Sequence, residues 1–243
     1  MRALITGGAR RVGRSITEHL SRAGFSVVIQ TAHSEVAARA LAATLPDAQV
    51  VRADLTQVEG CSAVVEAVRA GGGLDLLVNN AAAYEAVPFA DITVEQWAHM
   101  HALNARAPFL LSQGLLPLLR ESELDGGGLI VNIIDIGGER PAPGFAHYSA
   151  SKAALHMLTR ALAVEVAPAV RVNGVSPGTV LAPPDLAADT LEAIRHTIPQ
   201  GRFGDPSDIA CLVRFLALEA PYVTGQVWAV DGGRSVAGAL AVG

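Results

Sequence analysis

The sequence predicts an α/β fold: a single-domain, doubly wound architecture in which a seven-stranded parallel sheet carries helices on both faces. Three observations predict it. Short β-branched apolar runs alternate with longer Ala/Leu-rich amphipathic stretches along the chain, the rhythm of right-handed βαβ units. The strand-like runs are apolar nearly throughout, as strands covered on both faces are. No internal repeat, low-complexity tract or linker-like break divides the 243 residues, so 1–243 reads as one domain.

In chain order, Arg2 to Thr6 is the first strand, with a helix over 12–23, and "SVVIQ" the second, with a helix over 35–45. "AQVVR" leads into a helix over 56–70, and "LDLLVNN" into a helical stretch over roughly 93–119. "LIVNII" precedes a helix over 147–167, "VRVNGVS" precedes a loop and a helix over 206–219, and "QVWAV" closes the sheet. Pro183 and Pro184 interrupt any helix in "GTVLAPPDLAAD", 178–189, which reads as a loop over a site.

Bulk properties exclude several roles. The net charge is −5 and the basic residues are scattered, so no stripe follows a nucleic-acid backbone. The longest apolar stretches, such as "GGGLIVNII", fall short of the roughly 20 residues of a membrane span. The immediate start of the first strand leaves no room for a signal peptide. Cys61 and Cys211 are too few for a disulfide framework, and no Cys/His cluster has metal-ligand spacing. A cytoplasmic protein with buried thiols and no bound metal is expected.

Thr6 to Gly13, "TGGARRVG", follows the first strand and opens the first helix. Glycines there let the backbone approach a pyrophosphate, and the helix N-terminus supplies unpaired N–H groups. A glycine turn alone serves many folds; this placement makes it a dinucleotide site of the Rossmann kind. After the second strand, where an acidic residue often binds the adenosine ribose, stand Gln30, Thr31, Ala32, His33 and Ser34. With no carboxylate to repel a 2′-phosphate, Arg10, His33 and Ser34 can hold one, which favours NADPH. Ordinary loop residues are the alternative.

Lys152 is the only lysine among the 18 Lys and Arg residues. An Arg-biased composition that keeps one ammonium suggests a need for it. Tyr148 and Lys152 are i and i+4 on one helix, so both leave the same face. A neighbouring ammonium and a cationic nicotinamide would lower the Tyr148 pKa toward 7, a shift worth roughly 4 kcal/mol from its solution value, and make it a general acid or base.

On these motifs the chain resembles the short-chain dehydrogenase/reductases over nearly its whole length. The matching pieces are "TGGARRVG", "ADLT" after the third strand, "LVNNA", "ALNARAPF", "YSASK", "VNGVSPG" and "VTGQVWAVDGG". The resemblance implies that Tyr148 and Lys152 are catalytic and that Asn104 completes a proton relay. It also implies that Asp54 and Leu55 meet the adenine, that Gly7, Val12 and Gly13 approach the phosphates, that Asn80 and Ala81 line the cofactor, and that Pro177 and Gly178 flank the nicotinamide. Asn79, Asn80 and Asn104 are three of five asparagines, with loop caps as their alternative role.

Two departures narrow the resemblance. Arg11 replaces the middle glycine of the turn, and Asp135 stands where the family places a catalytic Ser thirteen residues before the Tyr. A hydroxyl donates to a substrate carbonyl, whereas an ionised carboxylate only accepts. Both departures resemble the pteridine reductase branch, which implies that Arg11 contacts cofactor and pterin, that Asp135 and Tyr148 deliver a proton, and that Tyr84 stacks on the pterin. Ala82 departs from the Ser common there. The competing readings are a carbonyl reductase, such as a 3-oxoacyl-thioester reductase, and a non-catalytic NADP sensor, which would have no need of the Asn104–Tyr148–Lys152 relay. A homotetramer is also implied, through the helices over 93–119 and 147–167 on one side and the last strand and tail "VAGALAVG" on another.

Cofactor preference follows from the missing acid. NADPH is expected to exceed NADH by about tenfold or more in kcat/KM, and Asp in place of Thr31 or Ala32 to shift the preference toward NADH. Equal use of the two by the native protein would remove the basis of this expectation.

Overall fold

The computed structural model describes residues 1–181 and 187–237. Seven parallel strands form one sheet: β1 (Arg2–Thr6), β2 (Ser26–Thr31), β3 (Ala48–Arg52), β4 (Leu76–Asn79), β5 (Gly128–Ile133), β6 (Val170–Pro177) and β7 (Val227–Val230). Their order is β3-β2-β1-β4-β5-β6-β7. The chain therefore winds outward in one direction to β3, returns to the centre, and winds outward again from β4. Between β1 and β4 the following loops diverge, which opens a crevice at the carboxyl ends of the strands.

Side chains alternate across the sheet with period two. Ala3, Ile5, Val27, Ile29, Leu76, Val78, Leu129 and Val131 join one core. It is covered by α1 (Arg11–Arg22), α2 (Glu35–Ala42) and α8 (Pro206–Leu218), through residues such as Ile16, Leu20, Leu41, Ile209 and Val213. Leu4, Val28, Leu77, Ile130 and Val172 point the other way, onto α3 (Val58–Ala70), α5 (Ala107–Arg120) and α6 (Ala146–Glu165). Strand apolarity was thus a sound guide to a sheet buried on both faces.

Two expectations need correction. The stretch over 93–119 is not one helix: α4 (Val94–His101) and α5 are joined by a π-helical turn, Ala102–Arg106. A π turn inserts a residue into the helical ladder without breaking the hydrophobic pattern, so periodicity missed it. The expected loop over 178–189 ends earlier, because α7 (Ala188–His196) begins within it and continues beyond. Pro183 and Pro184 lie outside the described residues, as does the tail after Ala237.

No helix among the described residues is long and apolar enough to cross a membrane, and no group of three or more His, Cys, Asp or Glu there could hold a metal. Leu115, fully buried between α5 and the sheet, measures how firmly this layer is packed. Leu115→Ala is expected to cost about 2–5 kcal/mol in urea unfolding; a loss below 1 kcal/mol would show that the layer collapses around the gap.

Candidate active site

The crevice is built around Thr6, the last residue of β1. Its hydroxyl accepts from the backbone N–H groups of Asn80 (2.8 Å) and Ala81 (2.9 Å) and donates to the Val78 carbonyl (3.3 Å). Asn80 Nδ2 returns to the carbonyls of Thr6 (2.8 Å) and Gly7 (3.3 Å). Gln30, in the segment that lacks the usual acid, is buried: its Oε1 accepts from Gly7 N (3.0 Å) and its Nε2 donates to Ala53 O (2.9 Å). The ends of β1, β2, β3 and β4 are thereby stapled into one rim.

Gly7 adopts φ 61°, and a Cβ on Gly13 would lie 2.2 Å from the Gly7 carbonyl oxygen. Only glycine fits there. Among the described residues, the single non-glycine with positive φ is Arg11 at 50°, the position where the resemblance expects glycine. An L-residue in that region stores about 1–2 kcal/mol, and the exposed guanidinium is tethered by donating to Leu181 O (3.0 Å). Arg10, the N-cap of α1, makes no side-chain cap hydrogen bond, so first-turn N–H groups next to Val12 and Gly13 keep no capping partner.

The adenine and ribose candidates gather at the edge of this rim. His33 is exposed and Ser34 half-buried, with Ser34 N donating to Thr31 Oγ1 (3.1 Å). Thr31 is buried, so of the two positions singled out for an Asp, Ala32 is the accessible one. Asp54 is exposed, its Oδ1 accepts from Thr56 N and Oγ1, and these bonds hold its carboxyl below the usual range, with His33 and His99 assisting. Leu55 belongs to the core, which leaves only its backbone for a ligand.

Asp135, Tyr148 and Lys152 converge beyond the ends of β5 and β6. Lys152 is buried and its Nζ donates to Ile133 O (2.9 Å), 5.9 Å from the centre of the Tyr148 ring. Burial lowers the ammonium from 10.5 to about 8, against the raising effect of Asp135. Asp135 Oδ1 accepts from Gly137 N (2.6 Å). Burial raises the Asp135 carboxyl, opposed by that N–H, Lys152, Tyr148 and Arg234. Tyr148, also buried, lies across Gly137 from Asp135 Oδ1.

The expected lowering of the Tyr148 pKa is reversed in this structure. Burial, and then the Asp135 carboxylate, push the phenol well above its ordinary value. Lys152 is not among the groups that act on the phenol, so the ammonium does not offset desolvation and Asp135. Tyr148 is a neutral phenol here, a donor rather than a base.

Tyr84 does reach this centre. It stacks on Phe145 at 4.9 Å between ring centroids (25° interplanar) and meets Tyr148 edge-on at 4.9 Å (88°). Its phenol is raised by burial and by Asp135, with Arg234 acting in the opposite direction. Phe145 and Arg234 were missed in the sequence. Phe145 could have been found three residues before Tyr148 at the same helix start, whereas Arg234 is brought in by the turn after β7, which carries no local signal.

Asn104 sits in the π turn, fully enclosed. Its Oδ1 accepts from Ala83 N (2.8 Å), and its Nδ2 donates to Ala83 O (3.0 Å) and Ser151 Oγ (3.0 Å). It fixes the loop before Tyr84 to α6 rather than touching Lys152. Asn79 Nδ2 donates to Asn132 Oδ1 (2.8 Å) and Asn132 Nδ2 to Thr159 Oγ1 (2.9 Å), a buried chain under the site. Pro177 ends β6 and Gly178 follows it, where a Cβ on Gly178 would meet Asp231 Cβ at 2.7 Å.

Lys152→Met removes a buried charge, and is expected to stabilise the ligand-free protein by about 1–3 kcal/mol at pH 7 while abolishing turnover. The native lysine sheds its proton near pH 8 and the unfolded one only near 10.5. Wild-type stability therefore gains on the variant as pH rises through that window, and the difference shrinks. Urea titrations at pH 7 and pH 9.5 measure it; a destabilised variant at pH 7 would contradict the buried-charge account.

A family model described as enoyl-(acyl carrier protein) reductase matches residues 7–235. The chain is 39% identical over 239 residues to the granaticin polyketide synthase "putative ketoacyl reductase 2" of Streptomyces violaceoruber, covering 95% of this chain and 94% of that one. It is 32% identical over 240 residues to a 3-oxoacyl-[acyl-carrier-protein] reductase of Synechocystis, covering 95% of each, and 33% identical over 245 residues to human dehydrogenase/reductase SDR family member 4, covering 95% and 86%. Among solved structures, a blue fluorescent protein from a metagenomic library, in complex with NADPH, superposes with a TM-score of 0.88 at 32% identity over 96% of this chain and 97% of that one. The chain belongs to the short-chain dehydrogenase/reductase family of oxidoreductases.

Proposed function

We propose that the protein is an NADPH-dependent reductase acting on a C=N bond of a planar, pterin-like heterocycle. The observation that carries this reading is the placement of Asp135 Oδ1 and the buried Tyr148 ring on either side of Gly137, beside the aromatic pair of Tyr84 and Phe145. The residues fit the cofactor: the Gly7–Gly13 turn leaves no room for a Cβ and presents uncapped N–H groups suited to a pyrophosphate, and the structurally similar NADPH complex supports the phosphorylated form. When bound, the cofactor supplies the hydride.

The chain's own residues then manage position and proton. Arg10, His33 and Ser34 hold the 2′-phosphate, Arg11 meets phosphate and substrate, and Lys152 offers its remaining N–H groups to the nicotinamide ribose. Asn80, Ala81, Pro177 and Gly178 bound the nicotinamide. Tyr84 lies against the heterocycle face. Tyr148, kept neutral, donates its proton to the substrate nitrogen, and Asp135, whose raised carboxyl can itself hold a proton, restores it. Asn104 positions Ala83 and hence Tyr84.

Reduction of a carbonyl is the alternative reading, and the relatives support it better than pterin reduction, since two of them carry ketoacyl or 3-oxoacyl reductase names. In it a protonated Asp135 would donate to the ketone oxygen in place of a hydroxyl. Assembly as a homotetramer is supported by exposed Trp97, Phe109, Met157 and Val164 on α4, α5 and α6, where large apolar side chains gain from a partner.

Dihydropterin, dihydrofolate and acetoacetyl thioester, compared by NADPH oxidation, separate the readings. Tyr148→Phe is expected to lower turnover at least about a hundredfold with cofactor affinity nearly retained. Asp135→Ser is expected to depress dihydropterin reduction while any carbonyl activity holds or rises, since the new hydroxyl donates to oxygen. A native protein that ignores dihydropterins, reduces ketones well and loses that activity in Asp135→Ser replaces the first reading with the second.

A further inference from the structure

The turn after β7 brings a guanidinium to the cleft that the proton and hydride steps leave unused. Asp231 organises this turn, its Oδ1 accepting from Gly233 N (2.9 Å) and its Oδ2 from Ser235 N (2.5 Å). Arg140 ties it down from the loop before α6, with Nη1 donating to the carbonyls of Arg234 (2.7 Å), Ser235 (2.8 Å) and Ala237 (2.7 Å). The half-buried Arg234 side chain is itself anchored through Nη1 to Thr179 Oγ1 (2.8 Å), just past the end of β6. Gly178 packs beneath the turn so closely that a side chain there would strike Asp231.

Arg234 forms no ion pair among the described residues. Thr179 directly follows Gly178 at the carboxyl end of β6, and Arg140 belongs to the segment that runs from Asp135 to Phe145, so the guanidinium stands on the same rim as the carboxylate and the aromatic pair, and its charge acts on Asp135 and Tyr84. Asp135 is beyond ion-pair distance and commits Oδ1 to Gly137. A guanidinium carries five donors in a planar fork, and one here goes to Thr179. A pre-positioned fork of this kind, beside an aromatic pair and without an acidic partner among the described residues, matches the planar geometry of a carboxylate.

We propose that Arg234 is a specificity-determining residue: anchored by Thr179 on a turn fixed by Arg140 and Asp231, it binds a carboxylate of the substrate. The protein then takes carboxylate-bearing substrates in preference to their neutral counterparts. This rests on the reductase reading for what occupies the cleft, and holds for a C=N or a C=O acceptor alike.

Two matched pairs test it. Folate and its dimethyl ester are titrated calorimetrically into the protein loaded with NADP+. Acetoacetate and methyl acetoacetate are compared by kcat/KM with NADPH. Wild type is expected to favour the carboxylate member of at least one pair by about tenfold or more. Arg234→Met lowers that ratio toward one, acting on Kd or KM rather than on kcat, and Arg234→Lys keeps part of it. A ratio unchanged in Arg234→Met overturns the proposal, as does a wild type that ignores charge, or binds no member, in both pairs. Silence in the folate pair with a charge preference in the acetoacetate pair would count against the pterin reading alone.

Discussion

A hydroxyl has one donor and two acceptor sites, and Thr6 uses all three to tie β1 to β4. These strands flank the reversal of sheet order, where successive loops turn away from each other and the rim would otherwise spread. With that hydroxyl satisfied, Asn80 closes on the carbonyls of Thr6 and Gly7, and Gln30 extends the same hold to Ala53. Gly7 and Gly13 can then approach each other closely enough that a methyl group would not fit. The glycine turn is therefore rigid because of polar groups around it.

The chemistry depends on a second balance, between charge and burial. Lys152, Asp135 and Tyr148 are gathered where solvent is scarce, and each is shifted toward its neutral form by that environment. Partial compensation comes from Ile133 O for the ammonium and Gly137 N for the carboxylate. A site so arranged favours handing protons along over holding separated charges. The strain at Arg11 belongs to the same account: a backbone conformation that disfavours arginine is kept where a guanidinium can reach the cleft mouth.

Much of this was legible in the sequence. Continuous apolar strands exposed the doubly wound sheet because burial on both faces leaves few polar positions, and "TGGARRVG" and "YSASK" with the lone lysine marked stretches that the fold brings to the carboxyl ends of the strands. What stayed hidden arises from distance in sequence. Gln30 stood out only as one of the residues without an acid after the second strand, but it satisfies two backbone groups just past β1 and β3. Phe145 and Arg234 join Tyr84 and Asp135 only after the loops converge. The upward shift of Tyr148 was also beyond the sequence, since desolvation depends on how completely the ring is enclosed.

The π turn over Ala102–Arg106 divides labour between the helices it joins. α4 packs on α6 and α5 packs on α3, two directions that one uninterrupted helix cannot face with the same stripe. One added residue advances the helical phase by about 100°, and Asn104 occupies the step, bound to Ala83 on one side and Ser151 on the other. Chain length in this stretch is consequently constrained more tightly than residue identity. Removing a single residue would turn Leu111, Leu115 and Leu119 off the sheet and carry Asn104 away from the loop that presents Tyr84, whereas many side-chain changes would leave the register intact.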